Sequence, residues 1–102
     1  MESLTLPLTG KVVRIPTTGE DWELYTSSMA CGRAARALTA ALKRALLVVD
    51  KAIKAGTGHT DDGLETLMDQ HLYPVMSTYS SYGAYDTEPR YHAIHALRQA
   101  SK

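Results

Sequence analysis

A thiol a few positions ahead of a guanidinium, as in Cys31 and Arg36 of "CGRAAR", can in the right loop attack and cradle a phosphate. Here the spacing is one residue short of the cysteine-phosphatase loop, no strand precedes it, and the segment lies inside a helical pattern. Cys31 is therefore expected to be a small buried hydrophobe. His92 and His95 stand three apart, a spacing that suits metal ligands on a helix, and His59, His71, Glu65 and Asp69 offer further donors. The Glu-x-x-His pairs of a carboxylate-bridged di-iron bundle are missing, and no second cluster accompanies the two histidines, so no metal is expected. "GTGHTDDG" (residues 56–63) has glycines but no lysine to reach a phosphate, and its acids would repel one. It also lacks the alternating ligands and closing glutamate of a calcium loop. No catalytic residue and no cofactor is assigned, and the chain is expected not to be an enzyme.

The chemistry that remains is recognition. "CGRAARALTAALKRALLVVDKAIKAG" (residues 31–56) contains six cations among apolar residues. Between residues 28 and 56 six Lys/Arg stand against one acid, Asp50, a local charge of +5, whereas residues 57–88 hold six acids and no Lys/Arg. A second unusual stretch, "YPVMSTYSSYGAYDTEPRY" (residues 73–91), holds five of the six tyrosines among Ser and Gly, the mixture that recognition surfaces favour.

The elements that must position these groups belong to one domain spanning residues 1–102, with 44% hydrophobic and 22% charged residues and zero formal net charge. The zero balance removes the cheapest argument for a nucleic-acid partner while leaving local patches open. A single cysteine excludes an intramolecular disulfide. With no signal-peptide pattern at residue 1, the chain is expected to be cytoplasmic. The longest apolar run, residues 45–49, falls far short of the ~20 residues that cross a bilayer, so no membrane partner is expected.

The fold class expected is mainly α: three helices, one long, one Pro-kinked and one short, after an N-terminal extended arm or β-hairpin over residues 1–17. "LTLPLTGKVVRIP" alternates about Thr9-Gly10, and Pro7 and Pro16 confine it to an edge. Thr18, Asp21 and the neighbouring acids look like a helix start, predicting a long helix over 20–55, about 54 Å at the standard rise. Leu24, Cys31, Ala35, Leu38, Leu42, Leu46, Val49 and Ile53 form its aliphatic face, and Thr26, Ser27, Ser28 and Gly32 are the weak formers within it. Thr60 or Asp62 caps a kinked helix over 62–82 that keeps phase across Pro74, and a short helix over 87–100 carries Tyr91, Ile94 and Leu97 inward.

At ~100° per residue the long helix has two further lanes. Arg33, Arg36, Lys43, Arg44, Lys51 and Lys54 form a basic lane about 32 Å long, able to track phosphates unless the acidic segment neutralises it. Ala30, Ala34, Ala37, Ala41, Ala45, Val48 and Ala52 form a seam of small residues. With two dry sides and only one partner helix of useful length, the seam predicts self-association, a homodimer or larger helical bundle. Leu47, inside the basic lane, and Tyr79, Tyr82, Tyr85 and Tyr91 are the expected contacts for another protein. The functional expectation is a small accessory or inhibitor protein that self-associates and binds a macromolecule. The alternative is a nucleic-acid or nucleotide binder using the basic lane.

Overall fold

The computed structural model describes residues 1–24, 29–78 and 87–101. It is mainly helical: a two-stranded antiparallel hairpin, β1 (Glu2–Thr5) and β2 (Val12–Ile15), precedes α1 (Met29–Lys54), α2 (Asp61–Thr78) and α3 (Thr87–Ser101). The hairpin pairs Glu2 with Ile15 through Thr5 with Val12. Its turn closes where the Leu6 amide donates to the Lys11 carbonyl at 2.8 Å and the Gly10 amide to the Leu6 carbonyl at 2.9 Å. Gly10 there takes φ +75°, which a side chain would resist. Period two then sends Val13 and Ile15 inward and Val12 and Arg14 outward.

The long helix does not begin at residue 20. Residues 19–23 form a single turn, opened as the sequence suggests: the Asp21 amide donates to Thr18 Oγ1, and the Asp21 carboxylate accepts from the Thr17 and Thr18 amides. The turn is then shut by a Schellman closure, with the Leu24 amide on the Gly19 carbonyl and the Glu23 amide on the Glu20 carbonyl. The residue in the left-handed position is Glu23, at φ +56°, where a glycine would have announced the stop. Burial of Trp22 and Leu24 on either side of it holds this strained conformation. Leu24 is thus core but not part of α1.

The far end of α1 uses the same closure with the usual residue. Gly56 sits at φ +83°, the Thr57 amide donates to the Ala52 carbonyl and the Gly56 amide to the Ile53 carbonyl, both at 3.0 Å. Four residues after Gly56, Thr60 caps α2: its Oγ1 accepts from the Gly63 amide at 3.1 Å and its carbonyl accepts from the Leu64 amide. The helix continues through Pro74 to Thr78. Residues 79–82 lie outside the described residues.

Both α2 and α3 pack on α1 and on each other, and β2 packs on α3. Arg90 pairs with Asp69 at 3.0 Å and Arg98 with Asp61 at 3.7 Å, so numbering rises along α2 as it falls along α3 and the two run antiparallel. On α3 the inward residues are Ala93, Ile94, Ala96, Leu97 and Ala100; Tyr91, expected inward, is 64% exposed. Three alanines among the five let α3 approach closely, and a short helix thereby covers what a longer one was expected to be needed for.

The alanine seam is closed by this arrangement. Ala34, Ala41 and Ala45 are fully buried within the single chain, Ala37 and Ala52 are half-buried, and Val48 is exposed. Around α1 the buried residues from Ala41 to Asp50 occupy a continuous arc of roughly 180°, so the two dry lanes are one broad side. The side chains of Ala30 and Cys31 lie outside the described residues. Ala34, Ala41 and Ala45, expected to be covered by a second copy, are thus covered by the chain's own elements.

Candidate functional site

What remains of α1 is an outward arc of roughly 140°. It carries Arg33, Arg36, Lys43, Arg44, Lys51 and Lys54, all exposed, as the helical spacing predicted. Charge on the molecule is distributed differently from the expected balance between α1 and the acidic segment. Asp61 and Asp69 of α2 are taken by Arg98 and Arg90 of α3, and Glu23 by His92 at 2.9 Å. Among the described residues none of the six α1 cations forms an ion pair; Lys54 alone acts on a buried acid, Asp50, one turn away. A row of cations with no acid to hold it is a field directed at solvent.

Apolar side chains interrupt that row. Leu47, at 50% exposure, lies at the middle of the arc, and Val48, at 39%, on its edge. The sequence pointed to Leu47; it did not point to Leu8, 49% exposed at the tip of the hairpin. What brings Leu8 here is Asp50. Its carboxylate accepts from the Leu8 amide at 2.9 Å, the Thr9 amide at 2.9 Å and the Thr9 hydroxyl at 2.7 Å, which fastens the tip to α1 one turn beyond Leu47. Burial alone would raise the Asp50 carboxyl. The Thr9 hydroxyl, the Leu8 and Thr9 amides and the Lys54 charge outweigh it, so the group lies below the usual carboxylate range and is ionised.

A second buried polar residue holds the other end of the arm. Thr39 Oγ1 accepts from the Trp22 indole at 3.1 Å and donates to the Pro16 carbonyl at 3.0 Å. Thr39 and Asp50 are eleven residues apart, hence nearly in line along α1 and about 16 Å from one another. In the sequence the signal was a polar residue twice entering an inward angle. Its meaning depended on a partner segment far away in the chain.

The other candidates come together less. His92 is turned onto Glu23, while His95 bonds Gln99 at 3.1 Å and stacks on Tyr91 with ring centroids 6.3 Å apart. The two histidines do not converge, and among the described residues no group of three metal-donor side chains is present. Tyr91 is exposed, as a contact residue would be, and Tyr79, Tyr82 and Tyr85 lie outside the described residues. Among the described residues no helix is long and apolar enough to cross a membrane.

The composite is a helical face, cationic along its length, that exposes Leu47 and Val48 and has the hairpin tip fastened beside it at Asp50. No family model matches the chain, and neither a curated protein nor a solved structure matches it at a significant level.

Proposed function

We propose that this chain is a non-enzymatic binding protein that docks an anionic macromolecule on the outer face of α1. The supporting observation is that six exposed cations share one face of α1 with no ion pair among the described residues, while Asp61 and Asp69 of α2 pair with Arg98 and Arg90 of α3. This reading does not draw on the alanine seam, whose central residues are buried by the chain's own helices.

The reading predicts salt-sensitive binding. Titration of polyglutamate and of short duplex DNA should show affinity that drops steeply between about 50 and 200 mM salt, as counterions compete for the face. The double variant Lys43→Glu/Arg44→Glu should weaken both at least about tenfold, with the fold unchanged because both side chains are exposed. Absence of binding to either polyanion at low salt, or indifference to the charge reversal, would reject it. Nucleic acid is the second reading: a lane of six cations about 32 Å long also suits a phosphate backbone.

A further inference from the structure

We infer that the occupant of this face is an acidic amphipathic helix of another protein, whose apolar stripe packs on Leu8, Leu47 and Val48. The inference rests on the reading of α1 as an anion-docking face and chooses between its two kinds of macromolecule.

A phosphate backbone requires cations and gains little from aliphatic side chains in their midst. A protein partner has use for both, since interfaces combine an apolar centre with a polar or charged rim. The face has that anatomy. Leu47 stands at the middle of the arc, Val48 on one side of it and Leu8 on the other, the last fastened there through Asp50. Lys43 and Arg44 lie one turn before Leu47 and Lys51 one turn after, so cations flank Leu47 on both sides along the helix. A leucine left half in water within a basic lane is uncovered in the free molecule and lies where a partner would desolvate it. The exposed side of α1 extends along a 26-residue helix, a surface along which a second helix can lie in contact, its acids reaching the flanking cations as charged positions do beside a coiled-coil seam.

The test uses four probes against the full chain. One is a synthetic helix about three heptads long, with leucines on one stripe and glutamates flanking it; its charge-matched twin has alanine in place of leucine. Polyglutamate and duplex DNA complete the set. At one salt concentration the leucine helix should bind about tenfold more tightly than its twin, and in the Leu47→Gln variant that ratio should collapse toward one while polyglutamate affinity is retained. A thermal melt of Leu47→Gln, equal to that of the native chain, checks the fold. A leucine-to-alanine ratio near one in the native chain, or tighter binding of DNA than of the leucine helix, overturns the inference and leaves the anion-docking function standing. If no probe binds at low salt, both fall together.

Discussion

The two sides of α1 each break the amphipathic rule, in opposite directions. The inner side buries Thr39 and Asp50 among leucines and alanines, and every break is answered inside the chain, by Trp22 and Pro16 in one case and by Leu8 and Thr9 in the other. The outer side exposes Leu47 and Val48 among six cations, and no acid among the described residues pairs with that row apart from Asp50 beside Lys54. Polar groups turned inward here are joints between segments of one polypeptide, whereas the apolar groups turned outward are left half in water by the described residues. The inner side is a core, whereas the outer side leaves Leu47 and Val48 in water.

Substitutions along the helix sharpen this contrast. Leu42, fully buried, and Leu47 are the same residue type in one helix; Leu42→Ala should cost about 2–5 kcal/mol in denaturant unfolding. Asp50→Asn should come next in effect, because the amide puts a donor against amides and a hydroxyl that need acceptors. Hydrogen exchange at Leu8 and Thr9 is the direct measurement, and protection there unchanged from the native chain would undo the role given to Asp50.

The carboxylates also set an acid limb. Asp21, buried enough for its pKa to rise on that ground, is held down to about 2 by the Thr17 amide, the Met1 ammonium and the Thr18 amide. Asp50 is likewise depressed. A carboxyl lower in the folded state than unfolded stabilises fully above the unfolded value, near 3.8, and loses that contribution as pH falls toward the folded value. Unfolding free energy should thus decline below about pH 4, and Asp50→Asn should make the decline shallower.

Trp22→Phe keeps most of the ring but removes the indole donor to Thr39, with an expected cost of about 1–2 kcal/mol. The smallest effect belongs to Leu47→Gln, within about 0.5 kcal/mol of the native chain, since no core contact is lost. A large destabilisation there would place Leu47 in the core and erase the distinction between the two sides.

Where local chemistry decided the structure, the sequence was readable. The hairpin about Thr9-Gly10, the Gly56 stop, the Thr60 cap and the outward positions of the α1 cations all follow from turn residues, caps and the 100° step. The start of α1 did not, because the terminating left-handed residue is a glutamate, and no propensity marks a strained conformation held by burial of its neighbours. Tyr91 went to the wrong side of α3 because the alanines, weak in any hydrophobicity count, define its inward face. In the sequence Asp50 reads only as a charge; its role as an acceptor depends on the hairpin tip, more than forty residues away in the chain.

The pair of attachments at Thr39 and Asp50 has a mechanical consequence. An arm pinned at one point can unzip from its free end, strand by strand. This one is riveted at its tip and again just past β2, with Val13 and Ile15 wedged between. Losing one leaves the strand aligned for recapture by the other. Detachment of residues 2–15 therefore requires both to fail in concert with the packing beneath, so the segment stays seated or leaves whole.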